Sequence, residues 1–344
     1  MSDRIGWGVV GTGSLVEEWM APAIHAVEDA RLAAVMSSDE QRARDFAQAI
    51  DAPRGYGRLD DLLADPAVDV VYVATRNELH MEQAIAAAHA GKHVLCEKPI
   101  ALSLDEARAI VDACRDANVV LGTNHHQRNA PTIRMMRRQI EQGAIGAPLA
   151  ARLAFSVELP PQARGWRLEG PGAGPAFDLT VHCADTLRFL LGREVLEVAA
   201  LGTHQGMGGA GVEDGLMSVL RFEDGILASL HDAFTIPHAG TRIEIDGSEG
   251  TLIGDEALWM APRGTVTLKR DGELTELDLG PRESNYLGVV RAFDAAVRGE
   301  GAPLCSGEDG LRSLEVALAA LASARGGRSV ALGCASEEVA SGRA

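Results

Sequence analysis

Over the first third of the chain, short apolar runs alternate with amphipathic stretches. Residues 5–10, 31–36, 68–75, 93–96 and 119–123 read as strands, with helical patterns between them. That alternation predicts a parallel, doubly wound sheet. After residue 123 the rhythm changes. Helical patterns at 132–142 and 178–191 flank a strand-like segment at 149–157, and strand candidates follow at 216–222, 226–233, 242–246 and 266–269. Helical patterns resume at 285–298 and 308–325. The expectation is an α/β protein of two domains. Residues 1–123 form the doubly wound domain, and residues 124–335 form a second α/β domain with a mostly antiparallel open sheet, whose last helix is free to pack back on the first. Residues 335–344, small and polar, read as a frayed tail.

A chain of 344 residues is long enough for two such domains. The 32 Lys and Arg against 49 Asp and Glu leave a net charge of −17, which argues against nucleic acid or an anionic membrane as a partner. An anionic cofactor must then be held by local donors. Cys96, Cys114, Cys183, Cys305 and Cys334 are odd in number and contain no C-x-x-C pair, which argues against a disulfide framework or a structural zinc site. With no basic-then-apolar leader and no apolar run of membrane-spanning length, the expectation is a soluble, cytoplasmic protein.

Chemistry enters at two places in the first domain. The run at 5–10 feeds Gly11-Thr12-Gly13-Ser14 and then a helical pattern from Leu15. Strand, tight turn and helix start are what cradles a dinucleotide pyrophosphate on backbone N–H groups. The third position of that fingerprint holds Val16 instead of glycine, and Pro22 implies a short or kinked first helix. The second place is Lys98. It follows the strand at 93–96, Pro99 stops that strand, and Ser103 with Glu106 has the spacing of a capping box. A lysine on such a turn lies where open α/β sheets bind ligands, although a solvated lysine reads equally well from this segment alone.

Cofactor choice turns on the end of the second strand, Val35-Met36-Ser37-Ser38, with Arg42 following. Hydroxyls and a guanidinium suit the 2′-phosphate of NADP, whereas Asp39 is the conflicting residue, an acid of the kind that accepts the ribose hydroxyls of NAD. In the second domain Asp178, His182 and Asp185 follow at i, i+4 and i+7, one face of a regular helix, behind a Gly172-Ala173-Gly174-Pro175 loop. A histidine can deliver a proton at neutral pH, and a carboxylate one turn earlier can orient it. A helix cap and a structural histidine is the alternative. Asn124-His125-His126 offers metal ligands, but without an H-x-x-x-H or H-E-x-x-H pair no metal is expected.

Four segments, GVVGTG at 8–13, TRNELH at 75–80, CEKPI at 96–100 and DLTVHCAD at 178–185, resemble in order the Gfo/Idh/MocA oxidoreductase family. The resemblance implies a Rossmann domain, a second α/β domain whose open sheet serves in homo-oligomerisation, and a nicotinamide between the two. It implies Lys98 and His182 as the catalytic pair, with Asp178 as their partner. The cofactor residues would be Gly11, Thr12, Gly13, Ser14 and Leu15, then Ser37, Ser38 and Arg42, then Thr75, Asn77, His80, Glu97 and Lys98. Within the family, TNHHQRNAP at 123–131, GWRLEGP at 165–171, GMGGAGVEDG at 206–215 and HDAFT at 231–235 resemble the bacterial 1,5-anhydro-D-fructose reductases. That implies NADPH-dependent reduction of 1,5-anhydro-D-fructose to 1,5-anhydro-D-mannitol, with Asn124, His126, Trp166, Arg167, Asp178 and His182 binding the sugar. Gly13, Val16 and Pro175 depart from the pattern. Two other classes stay open: an NAD-linked polyol or sugar dehydrogenase of the same family, with His182 as base, and a non-catalytic dinucleotide-binding sensor.

Overall fold

The computed structural model describes residues 4–333, so Cys334 and the polar stretch at 335–344 lie outside the described residues. The chain forms two compact units. One takes the chain up to Asn129 together with Met260–Pro262 and Arg282–Leu314; the other takes Ala130–Trp259, Arg263–Pro281 and the chain from Glu315.

In the first unit six strands pair in parallel: β1 (Ile5–Val10), β2 (Ala30–Met36), β3 (Gly55–Tyr56), β4 (Val70–Val73), β5 (His93–Cys96) and β6 (Leu121–Thr123). Their order is β3-β2-β1-β4-β5-β6, the doubly wound arrangement, in which the winding reverses between β1 and β4 and opens a crevice at the carboxyl ends. Helices cover both faces, so β1 and β4 are buried at every position and read as continuous apolar runs. The helix Asn285–Val297 belongs to this unit. Its Phe293 ring centroid lies 5.5 Å from that of Trp7, and Asp294 Oδ1 accepts from Trp7 Nε1 at 3.1 Å across 287 residues of sequence.

The second unit is built on a nine-stranded sheet ordered β14-β13-β12-β11-β7-β10-β9-β8-β15. The strands are β7 (Pro148–Glu158), β8 (Val195–Thr203), β9 (Gly215–Phe222), β10 (Leu227–Ala233), β11 (Thr235–Gly247), β12 (Thr251–Asp255), β13 (Thr265–Arg270), β14 (Glu273–Glu276) and β15 (Val330–Ala331). Among the described strands every neighbour pair is antiparallel except β7 with β10. One face is dry: Ile133 and Met136 of the helix Pro131–Glu141 and Leu187 and Leu190 of the helix Val181–Leu191 cluster with Leu153, Leu220 and Leu230 of the sheet. The other face is open. Along β9, Leu216, Ser218, Leu220 and Phe222 are buried while Met217, Val219 and Arg221 are exposed, the alternation of a half-covered sheet. Leu201 stands opposite Met217 and Ala199 opposite Val219 on that open face, beside a shallow groove of about 700 Å³. Toward β11 the face becomes charged, where Arg152 donates to Glu244 and Asp246 at 2.8 and 2.7 Å.

β3, β8, β12, β14 and β15 were absent from the expected strands, β3 and β15 being two residues each. β8 reads VLEVAALGT, rich in helix formers, and its pairing with β9 overrides that propensity. Gly254 breaks the side-chain pattern of β12 but not the strand, and a Cβ there would lie 2.9 Å from Met136 Sδ; a helix packs directly on the backbone. β14 is ELTE, exposed throughout, a charged outer strand that discourages further pairing.

Candidate active site

The glycine turn after β1 has the backbone that its sequence demands. Gly11 sits at φ +121°, and a Cβ there would meet Ala74 O at 2.4 Å, so only glycine fits. Above Gly13 no described residue lies within 4 Å of where a side chain would be, which leaves its backbone open to a phosphate. Thr12 is half-buried, Ser14 exposed and Leu15 half-buried. The helix that follows opens as a wide π turn, Val16–Met20, before becoming α-helical at Ala21–Ala26 with Pro22 in its first turn. Val16, where the fingerprint has glycine, is fully buried at the start of that wider turn. These residues fit a dinucleotide pyrophosphate.

At the end of β2, Arg42 donates through Nε to Ser37 Oγ at 2.7 Å and through Nη2 to Ser38 Oγ at 3.1 Å. Asp39 is the N-cap of the helix Glu40–Ala49, its Oδ1 accepting from the Arg42 backbone N–H at 2.7 Å. The conflicting acid thus has a local use as a cap.

The lysine turn is braced from below. Glu97 is buried after β5; its Oε1 accepts from the Tyr72 hydroxyl and from Asn124 Nδ2, the latter at 2.5 Å, and its Oε2 accepts from the Lys98 backbone N–H at 3.2 Å. Burial raises the Glu97 pKa, against the pull of Tyr72, Asn124 and the Lys98 charge. Lys98 itself is half-buried, and its bond to Pro99 is cis. His80 ties the next residue down, with Nδ1 2.8 Å from Pro99 O and Nε2 3.3 Å from Thr75 O; burial lowers its pKa. Thr75 donates from Oγ1 to Gln83 Oε1 at 2.6 Å, and Asn77 is buried in the short turn Asn77–Leu79. Asn124 therefore spends its amide nitrogen inside the unit; its carbonyl Oδ1 is buried with no hydrogen-bond partner among the described residues. His126 stacks on Tyr286, centroids 4.8 Å apart, and burial first, then Lys98 and His125, lower its pKa to about 3, so it is neutral. Tyr72 and Tyr286 escaped the sequence reading. A tyrosine in a buried parallel strand needs a partner for its hydroxyl, and that was the available signal.

In the second unit the spacing of Asp178, His182 and Asp185 assumed one regular helix, and the structure corrects this. Asp178 lies in a π turn, Ala176–Thr180, and the α-helix begins at Val181, so the rotation from Asp178 to His182 differs from the one that a regular α-helix gives to the same spacing. His182 is 5% exposed. Asp185 is fully buried, 4.0 Å from Arg188 Nη1. Arg167 Nε donates to Asp178 Oδ2 at 3.1 Å, its guanidinium lies 4.4 Å over the Trp166 ring, and Nη1 donates to Ala163 O at 3.1 Å. Three of the residues expected to meet a sugar, Trp166, Arg167 and Asp178, thus form one stacked, ion-paired set. The loop at 206–215 docks beside them: Gly209 N–H donates to Leu168 O at 2.9 Å. Asp214 holds that loop, accepting from the N–H groups of Gln205 and Met207. Burial alone would raise its pKa, but these donors outweigh it and the net shift is downward.

The chain matches the model of the GFO/IDH/MocA oxidoreductase family, NAD-binding Rossmann fold, over residues 5–125 and that of the GFO/IDH/MocA C-terminal domain over residues 133–253. It is 45% identical to a 1,5-anhydro-D-fructose reductase of Ensifer adhaerens over 324 residues, 94% of this chain and 97% of the relative. It is 31% identical to a myo-inositol 2-dehydrogenase of Thermotoga maritima over 94% of this chain and 98% of that one. Among solved structures, the aldose-aldose oxidoreductase of Caulobacter crescentus complexed with glycerol superposes with a TM-score of 0.89 at 25% identity, covering 96% of this chain and 100% of that one.

Proposed function

Because the chain belongs to the Gfo/Idh/MocA oxidoreductase family, we propose that this sugar oxidoreductase is an NADPH-dependent ketone reductase that converts 1,5-anhydro-D-fructose to 1,5-anhydro-D-mannitol. The observation that carries the reading is the 45% identity with the Ensifer reductase across 94% of the chain. The cofactor half is supported by Arg42 clasped between Ser37 and Ser38, hydroxyls and a guanidinium presented together for a 2′-phosphate, while Asp39 caps its helix. When bound, the nicotinamide supplies the hydride to the carbonyl carbon. Lys98 polarises the carbonyl oxygen and stabilises its growing charge. His182 delivers the proton that completes the alcohol, and Asp178, fixed by Arg167, orients the imidazole. Asn124 through its carbonyl oxygen, neutral His126 and the Trp166 ring are assigned to the sugar. The open face of the nine-stranded sheet, with Leu201 and Met217 opposite each other, is assigned to a second copy of the chain.

Steady-state kinetics on the purified protein test this with NADPH and NADH against 1,5-anhydro-D-fructose, 2-ketoaldoses, inositol and glucose. Anhydrofructose with NADPH should be turned over fastest, and Arg42→Ala should weaken NADPH by roughly tenfold or more while sparing NADH. Equal affinity for both cofactors in the unmodified protein would remove the cofactor assignment. No turnover of anhydrofructose beside robust NAD-linked oxidation of inositol or glucose would make this a polyol dehydrogenase.

A further inference from the structure

Among the fully buried carboxylates of the second unit that the proposed chemistry leaves unused, Asp232 is the one that reaches the segment carrying Asp178 and His182. Asp232, on β10, has no exposed surface. Its Oδ2 accepts from Thr180 Oγ1 at 2.6 Å and its Oδ1 from Cys183 Sγ at 3.0 Å. Burying a carboxylate costs several kcal/mol unless donors compensate. A serine or asparagine would pack the same space at a smaller desolvation cost, but neither offers two equivalent acceptors to two donors. The two donors bracket the segment that matters: Thr180 is the last residue of the π turn containing Asp178, and Cys183 is in the first turn of the α-helix containing His182.

A π turn holds one residue more than an α turn, so the side chains before it are rotated relative to those after it. Whether Asp178 and His182 serve one proton transfer then depends on how the junction between the two turns is held. A helical threonine commonly bonds back to the carbonyl four residues earlier. Here the Thr180 hydroxyl reaches sideways to the sheet. The thiol stays a donor, since burial, followed by the Asp232 charge, raises the Cys183 pKa well above its ordinary value.

We propose that Asp232 is a positioning residue, a clamp that pins the π-to-α junction to the sheet through Thr180 and Cys183 and so sets the register between Asp178 and His182. The proposal rests on the reading of His182 as the proton donor, and it deepens that reading.

The test uses the full-length protein with NADPH and the variants Asp232→Asn, Thr180→Val, Cys183→Ala and Cys183→Ser. Melting temperature, NADPH affinity, kcat and KM are measured separately, together with the imidazole ¹⁵N shifts of His182. Thr180→Val leaves the Asp232 side chain in place and removes one of its two donors, so it also decides the matter if Asp232→Asn does not fold. Folded Asp232→Asn and Thr180→Val should lose roughly tenfold or more in kcat while the KM for sugar and the NADPH affinity stay within about threefold, the pattern of misplaced transition-state groups. Cys183→Ala should lose part of kcat and Cys183→Ser, which restores a donor, should recover it. The His182 resonances should move in Thr180→Val and in Cys183→Ala and keep their place in Cys183→Ser. Folded variants with unmodified kcat and unmoved His182 resonances would overturn the clamp. If the unmodified protein reduced no sugar ketone, the proposed function would fall, while the His182 resonances would still decide whether Asp232 sets that side chain's place.

Discussion

At Glu97 one carboxylate oxygen takes the Tyr72 hydroxyl and the Asn124 amide, and the other takes the Lys98 N–H, so the lysine stands on a turn whose support is buried and hydrogen-bonded. Such support matters because a misplacement of about 1 Å can cost a hundredfold in rate. Lys98→Ala and His182→Ala should each lower turnover by roughly a hundredfold or more while leaving the NADPH dissociation constant nearly unchanged, measured by fluorescence titration beside saturating-substrate kinetics. Near-normal turnover in either variant would make that residue structural. The places of Gly11, Lys98 and Arg42 were legible from the sequence because each lies within a few residues of its own strand end. Tyr72 was not, since periodicity counts it as one more apolar residue of β4 and its partners lie 25 and 52 residues away. The Asp178–Arg167 ion pair was hidden for a similar reason: the loop geometry that brings the two together has no period.

Among the elements, the helix Asn285–Val297 carries the clearest pH signature. Burial raises Asp294 to about 7, against the Trp7 hydrogen bond and the Arg298 charge. The folded state therefore holds this proton more tightly than the unfolded state does. The stability it contributes is complete below the ordinary carboxylate pKa, declines as pH rises, and is gone above about 7. Asp294→Asn keeps an acceptor for Trp7 and carries no charge, so at pH 8.5 it should be more stable than the unmodified protein by on the order of 1–3 kcal/mol, with the gain vanishing near pH 4. Thermal melts across that range check the sign. A gain independent of pH would place its origin elsewhere. Five of the six strands of the first unit were readable because burial on both faces leaves apolar runs, while β3, only Gly55–Tyr56, is too short to leave one. In the second unit the strands toward the edges were not readable, because β14 is short and exposed throughout and β8 is strand only by pairing. The π turns at Val16–Met20 and Ala176–Thr180 have no pattern of their own in the sequence.

For the whole molecule, the open sheet face makes an assembly prediction. Leu201 and Met217 are 76% and 58% exposed and face each other across β8 and β9, an apolar patch that a solitary chain would leave in water. Light scattering after size exclusion should show a homo-oligomer, and Leu201→Glu with Met217→Glu should shift it toward the monomer, a self-complementary patch being lost from both partners at once. A monomeric unmodified protein would defeat this assignment. Among the described residues no helix is long and apolar enough to cross a membrane.

The bond from Trp7 to Asp294 joins residues 287 positions apart, and Tyr286 and Phe293 sit in the same core as Trp7. During synthesis that core stays unfilled until almost the whole chain has emerged, although N-terminal domains ordinarily fold first. A nascent chain halted before the Asn285–Val297 helix keeps the Trp7 side of its nucleotide-binding sheet uncovered, and cutting the gene at the end of β6 yields a fragment with that wall missing. The segments Ala130–Trp259 and Arg263–Pro281 of the second unit are therefore translated while the first is still waiting for its last wall, and the second unit itself is completed only by the chain from Glu315.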